Sequence, residues 1–346
     1  MPSPTPKELG FRMPAEWEKH SAIWLSWPHD PESFPYLEAA EESFVRFMCE
    51  ISETEHVELQ VVDEDMWHHA EAMLRDFGAE MNNVSFHIAD YADIWFRDYG
   101  PIFVVNDTTK ELAMTKWVFN AWGNKYDALL KDNEVPYAMN QKMKLRMFEP
   151  GIVLEGGSID VNGAGTLMTS EQCLLNKNRN PKFRREDIEK YLSDYLGVSH
   201  FIWLKDGIEG DDTDGHIDDI ARFVNASTVV AAYEENEKSP DHKPLKENWD
   251  ILESAIDQDG EKLNLLKVPM PGKVRGHDRH LPASYTNFYI GNGKVLVPIF
   301  GAANDEKALE VIRSAFPDRK VVGIDARYIV YGFGTFHCMS QQQPFV

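Results

Sequence analysis

The sequence predicts an α/β fold, and three observations carry that prediction. Short apolar runs alternate with amphipathic segments almost throughout, residues that end helices follow two of those segments, and glycines stand where tight hairpins need them. In chain order, His20 to Trp27 reads as a strand, Leu37 to Ile51 as a helix, His56 to Val62 as a strand, Glu64 to Phe77 as a helix and Val84 to Ala89 as a strand. Farther on, a helix from Arg184 to Leu196 precedes a strand from His200 to Leu204. Another helix from Asp305 to Ala315 precedes a strand from Lys320 to Ile324. Gly197 and Pro317 stop these two helices, glycine by adopting a left-handed cap and proline because it cannot continue the turn. Hairpins are expected at Asn162-Gly163-Ala164-Gly165 and Gly291-Asn292-Gly293.

No linker or low-complexity tract divides the chain, so residues 1–346 read as a single domain. The polar stretch from Glu234 to Lys246 reads as a surface insertion, and no period is clear enough to mark repeats. Apolar residues at 43% with 12% aromatics suit a globular protein that can bury a large core, and no apolar run reaches membrane-helix length. The first residues, Met1 to Glu8, lack the apolar centre of a signal peptide. With three widely spaced cysteines, this points to a reducing, cytoplasmic setting. Lys and Arg number 35 against 57 Asp and Glu, a formal charge of −22, which argues against nucleic acid or anionic membranes as partners and favours a small cation.

The candidate chemistry centres on Cys338, in Tyr331-Gly332-Phe333-Gly334-Thr335-Phe336-His337-Cys338-Met339-Ser340. Three acidic, glycine-punctuated segments lie upstream: Asp93-Ile94-Trp95-Phe96-Arg97-Asp98-Tyr99-Gly100-Pro101, Leu154-Glu155-Gly156-Gly157-Ser158, and Gly210-Asp211-Asp212-Thr213-Asp214-Gly215-His216-Ile217-Asp218-Asp219. A thiol with a histidine and several carboxylates is what attack on a guanidinium carbon requires: carboxylates hold the planar cation by its edges, the thiol attacks, and the histidine manages protons. Cys49 and Cys173 read as small buried hydrophobes, Asp98 as a partner of Arg97 or a turn cap, and His337 as a structural residue facing away from the nucleophile. A calcium loop at Asp211-Asp212-Thr213-Asp214-Gly215 fails at its first and twelfth positions, Gly210 and Ala221, and no Cys-x-x-Cys pair suggests zinc. No metal and no cofactor is therefore expected.

Together with Gly10-Phe11-Arg12-Met13-Pro14-Ala15-Glu16-Trp17, Phe119-Asn120-Ala121-Trp122-Gly123, Asn178-Arg179-Asn180-Pro181 and Ser284-Tyr285-Thr286-Asn287-Phe288-Tyr289, these segments resemble the agmatine deiminase and bacterial-type peptidylarginine deiminase family, within the guanidino-group-modifying enzymes. The resemblance spans nearly the whole chain. It implies a five-bladed α/β propeller with pseudo-fivefold symmetry, the pentein fold, with its site at the central opening. It also implies Cys338 as nucleophile, His216 as general acid and base, Glu155 orienting and charging that histidine, and Asp93 and Asp218 gripping the guanidinium. Trp95 and Trp122 are expected as walls and Asn287 as a polar substrate contact.

The implied reaction is hydrolytic deimination through a Cys-amidino intermediate with release of ammonia, agmatine to N-carbamoylputrescine first, peptidyl or free arginine to citrulline as the alternative. A metal-dependent hydrolase or a non-enzymatic binder of cationic ligands is a remote second class. A homo-oligomer is left open. Phe333, Thr335 and Phe336 depart from the run of glycines usual before the His-Cys pair and are expected to line the approach to the thiol, while Arg97, Arg275 and Arg279 are candidates to receive a substrate carboxylate.

Overall fold

Four times along the chain a strand pairs antiparallel with the next and a helical crossover then brings a third in parallel on the far side, while the first sheet takes its antiparallel strand from the other end of the chain. The structure, a computed structural model, describes residues 3–276 and 278–346. The first sheet holds β1 (His20–Ser26), β2 (Val57–Val61) and β3 (Val84–Ile88), linked by helices α1 (Leu37–Ser52) and α2 (Glu64–Phe77). A single turn, α3 (Phe96–Tyr99), leads into the second sheet of β4 (Ile102–Asn106), β5 (Glu111–Thr115) and β6 (Arg146–Phe148), whose crossover carries α4 (Ala121–Asn124) and α5 (Val135–Met143). The third contains β7 (Ile159–Val161), β8 (Thr166–Ser170) and β9 (His200–Leu204), with α6 (Glu171–Leu174) and α7 (Arg185–Leu196) between the last two.

Strands β10 (Ala221–Asn225), β11 (Thr228–Tyr233) and β12 (Asn264–Pro269) form the fourth around α8 (His242–Ser254). A two-residue ribbon of β13 (Arg275–Gly276) and β14 (Arg279–His280) follows. The fifth sheet has β15 (Tyr289–Ile290), β16 (Lys294–Ile299) and β17 (Lys320–Asp325) around α9 (Asp305–Ala315). Finally β18 (Gln341–Pro344) pairs antiparallel with β1, so the first sheet is completed from the far end of the chain. This is the pentein fold, five α/β units of one plan.

Local chemistry explains the elements. In α1, Ala40, Phe44, Phe47, Met48 and Ile51 recur at helical spacing and are all buried. Helix α2 starts where the Asp63 carboxylate accepts the Met66 amide and ends at Gly78, whose φ of 85° is the left-handed cap. The expected helices and strands stand within a residue or two of their predicted bounds. The stretch from Glu234 to Lys246 does not behave as a surface insertion: from His242 onward it is α8, with Leu245, Asn248 and Leu252 buried, its lysines and glutamates being the solvated face of that helix. No described helix is long and apolar enough to cross a membrane.

Candidate active site

The segments that lead into the first strand of each unit supply the polar centre. Asp98 precedes β4, Glu155 precedes β7, His216 and Asp218 precede β10, Asn287 precedes β15 and Cys338 precedes β18. Cys338 lies in a turn: the Met339 amide donates to the Thr335 carbonyl and the Ser340 amide to that of His337. Two glycines let this turn lie flat on the Trp95 indole. A Cβ on Gly332 would come within 2.5 Å of that ring, and one on Gly334 within 2.6 Å of it and 3.0 Å of the Cys338 Cβ.

Gly157 shows where the reactive groups converge. A Cβ built on it would lie 2.6 Å from His216 Nδ1, 2.8 Å from Asp98 Oδ1 and 3.1 Å from Asp218 Oδ2. Asp218 Oδ2 in turn accepts the Cys338 thiol at 3.4 Å. Asp98 Oδ1 accepts the Gly157 amide at 3.0 Å and stands 3.7 Å from His216 Nδ1, while its Oδ2 accepts the Trp122 indole N–H at 2.9 Å. Trp122 reaches it from a backbone held at a φ of 53°, in the left-handed region that a bulky residue rarely adopts. Neither nitrogen of His216, nor Oδ1 of Asp218, has a hydrogen-bond partner among the described residues, although all are buried. Such orphaned groups point at the space they enclose.

Around this cluster the groups are tightly engaged. Asn287 Nδ2 donates to Cys338 Sγ and to Asp219 Oδ1, both at 3.0 Å, and its Oδ1 accepts the Thr335 hydroxyl and the His337 and Cys338 amides. Its amide thus holds the thiol turn. His337 does not face away: its Nδ1 meets Asp218 Oδ2 and its Nε2 meets Glu16 Oε1, both at 2.7 Å. The two-residue alternation of a strand does not hold in a turn. Glu16 also pairs with Arg222, and with Arg97 at 3.2 Å. Arg97 is therefore committed in the interior, and Asp98 is free of it. Glu155 Oε1 takes Arg179 Nε at 2.7 Å, leaving Oε2 unpartnered beside Cys173 and His216, the donor atoms of these three lying within 4.8 Å of one another. Asp218, Asp219 and Cys338 form a second set of that size. In the first set Arg179 engages only Glu155 Oε1, and in the second Asn287 holds Cys338 and Asp219 while His337 holds Asp218 Oδ2.

The electrostatics follow from burial and neighbours. Burial and the charges of Asp218, Asp219 and Asp98 push the Cys338 thiol well above its ordinary value, against the Asn287 hydrogen bond. Burial lifts Asp98 to about 6, the nearby His216 opposing it and Asp218 and Glu155 adding to it. Asp218 goes the other way: burial opposes its charge, but the hydrogen bond and charge of His337, with His216 and Arg222, draw it down. Burial also works against a charged His216, yet Asp98, the Cys173 sulfur and Asp218 raise it well above a free imidazole.

A cavity of about 450 Å³ opens over Cys338 and Asp98. Trp95 and Trp122 wall it, and its described lining carries six carboxylates (Asp30, Glu32, Asp93, Asp98, Asp127, Asp212) and no lysine or arginine. Asp93 is on this wall, its Oδ2 accepting the Ser33 hydroxyl at 2.8 Å and its Oδ1 the Ile94 amide at 2.7 Å, outside the group gathered around Gly157. Of the three residues expected to crowd the approach, only Phe333 lines the cavity, with Arg279 over its ring at 4.4 Å. Thr335 is turned onto Asn287 and Phe336 is stacked on Phe47 in the core, so neither narrows it. Arg279 is paired with Asp212 at 2.8 Å.

A sequence profile of the Porphyromonas-type peptidyl-arginine deiminase family matches residues 12–344. The chain belongs to this family. It is 37% identical to a Latilactobacillus sakei protein that bears agmatine deiminase as a provisional name, with 98% of each chain covered. Among solved structures, it superimposes on an agmatine deiminase of Enterococcus faecalis with a TM-score of 0.92 at 32% identity, over 100% of this chain and 99% of the other. A cysteine-to-serine agmatine deiminase of C. jejuni with substrate bound matches at a TM-score of 0.88 and 33% identity, over 97% and 96%. A member of this family is a hydrolase acting on guanidino C–N bonds.

Two features of the site escape local reading. Asp98 sits beside Arg97 in sequence, but a glutamate from the N-terminal segment takes the arginine. The Glu155–Arg179 pair joins two of the quoted motifs whose adjacency no spacing announces.

Proposed function

We propose that the chain is an agmatine deiminase, converting agmatine and water into N-carbamoylputrescine and ammonia. The observation that carries the reading is the convergence of Asp98, His216 and Asp218 on one point, with the Cys338 thiol on Asp218, and of Cys338 and Asp98 on a cavity lined by carboxylates without a described lysine or arginine. Asp98 and Asp218 take the edges of the guanidinium, a planar five-fold donor. That gives Asp98 the place the resemblance implied for Asp93, which instead adds negative charge to the wall. Trp95 and Trp122 cover the alkyl chain.

Cys338 Sγ then bonds to the guanidinium carbon. Its high thiol pKa means that the proton passes to bulk water as the substrate cation enters and cancels the field of Asp218, Asp219 and Asp98. His216, protonated beside Asp98, gives a proton to the departing nitrogen, and the C–N bond breaks to release ammonia and leave an amidino-thioether. The same imidazole deprotonates the water that resolves it. Glu155, close to His216 and anchored by Arg179, contributes negative charge that favours the protonated ring.

Agmatine carries a second positive charge, which the acidic wall suits, whereas free arginine adds a carboxylate for which the described lining offers no free cation: Arg279 already holds Asp212. Relatives named as agmatine deiminases support the choice. In this reading all 346 residues work as one catalytic domain, in the cytoplasm, on a small cationic substrate. Ammonia release from agmatine, arginine and a blocked arginine peptide, compared as kcat/KM, is the test. A higher value for the peptide or for arginine would move the assignment to a citrulline-forming deiminase.

A further inference from the structure

His337 is wholly buried between two carboxylates, each 2.7 Å from one ring nitrogen. A short nitrogen-to-oxygen contact of this kind is attractive only if a proton lies in it, so the three groups Glu16, His337 and Asp218 hold two protons between them. The charges facing the ring are few and fixed: Glu16 and Asp218 at its nitrogens, the guanidinium of Arg97, whose Nε donates to the His337 carbonyl at 3.3 Å, and Arg222, paired with Glu16 and with Asp160. Burial opposes a charge on Glu16, but Arg222, His337 and Arg97 hold its pKa well below the usual carboxylate range. Glu16 is thus an acceptor, and one proton resides on His337 Nε2. His337 draws Asp218 down as well, but burial and the guanidiniums of Arg222 and Arg97 hold the imidazole itself below its ordinary value, so the second proton is contested in the contact between Nδ1 and Asp218 Oδ2, immediately beside the Cys338 thiol.

We propose that His337, braced by Glu16, is the positioning residue for Asp218 and holds an exchangeable proton in that contact, which moves fully to Nδ1 when a guanidinium arrives. Asp218 then meets the cation as a full carboxylate, with its unpartnered Oδ1 directed to the substrate while Oδ2 remains held. The transfer is a shift of one proton from oxygen to nitrogen within an existing hydrogen bond, with no other bond changed. It resolves a conflict in the empty site, where Asp98, Asp218 and Asp219 crowd one thiol. The inference rests on the deiminase reading for the identity of the cation.

Nitrogen-15 NMR of the histidines tests it on the whole chain carrying Cys338→Ser, which blocks turnover, keeps a donor toward Asp218 and leaves Glu16, His337 and Asp218 themselves unchanged. Agmatine should move the Nδ1 signal of His337 toward a fully protonated imidazolium while Nε2 stays protonated throughout. An Nδ1 signal unchanged at saturating agmatine overturns the proposal. Two substitutions give an independent kinetic reading. His337→Asn keeps an amide near the Nδ1 position, and His337→Gln keeps one near Nε2 but withdraws the donor from Asp218. The glutamine variant should raise KM for agmatine about tenfold or more and move the acid limb of its pH profile upward, while the asparagine variant stays within about threefold of the parent. Equal KM values and superimposable pH profiles for the two variants overturn the proposal as well. Failure of the functional reading looks different: the unsubstituted chain would release ammonia from no guanidine, while the shared proton would still be visible in the substrate-free spectrum.

Discussion

At the closed end of the cavity, Cys338, Asp98, His216 and Asp218 are 0–4% exposed. Apart from the atoms that face the enclosed space, their polar groups are tied to a backbone amide, an indole, the side-chain amide of Asn287 or a buried ion pair. At the mouth, Glu32, Tyr126 and Asp127 are exposed, and Asp212 is only part-buried, shared between Tyr126 and Arg279. Charge at the closed end acts through a low-dielectric interior and costs a great deal to misplace, whereas charge at the mouth is screened by water. The chemistry of the reaction should therefore be brittle to substitution and the preference for a substrate tail pliable.

The largest expected effect is at the nucleophile. Cys338→Ala should lower kcat by a factor on the order of 10⁴ or more, while Cys173→Ala, equally buried beside the same His216, should keep activity within about tenfold of the parent. Steady-state ammonia release with melting curves for both variants checks this, and comparable losses would remove the covalent route. Gly157→Ala comes next. Its methyl would occupy the point where His216, Asp98 and Asp218 meet, so kcat/KM should fall about a thousandfold with a folded protein by circular dichroism. Near-normal turnover would show that the guanidinium lies elsewhere.

Asp98→Asn should cost roughly a hundredfold or more in kcat/KM and Asp93→Asn about tenfold at most, because only Asp98 stands in the group around Gly157. The reverse order would restore Asp93 as the gripping carboxylate. The same Asp98 sets a pH limb. Burial raises it to about 6, and Asp93 on the wall likewise; protonated below that pH, neither can hold a cation, so kcat/KM for agmatine should rise as pH increases through about 6. Bound cation favours the ionised form, which places the corresponding limb of kcat at lower pH, and coincident limbs would contradict the assignment. At the mouth, Phe333→Gly and Asp212→Asn should change the agmatine-to-arginine ratio by only about three- to tenfold, leaving kcat for agmatine nearly intact.

How legible all this was in sequence varied with the distance over which a residue finds its partners. Helices such as Glu64–Phe77 and Asp305–Ala315 could be read to the residue because caps and apolar periodicity are local. The fivefold repetition could not be read, since the crossovers differ in length and the first unit borrows its outer strand from the other end of the chain. The acidic segments and Cys338 announced a thiol site, but which carboxylate faces inward did not follow from them. Arg97 beside Asp98 suggested a local pair that Glu16 pre-empts, and His337 read as outward only while its segment was taken as extended.

The pairing of β18 with β1 has a consequence for how the protein comes into being. As the chain leaves the ribosome, β1 emerges first and keeps one edge bare through the synthesis of four further sheets, a length of exposed template that other chains could join. The strand that covers it follows Cys338 by three residues, Met339 to Ser340 and on into Gln341. Delivery of the reactive thiol and completion of the first sheet are thus one event, so a nascent or prematurely ended chain is unarmed as well as open.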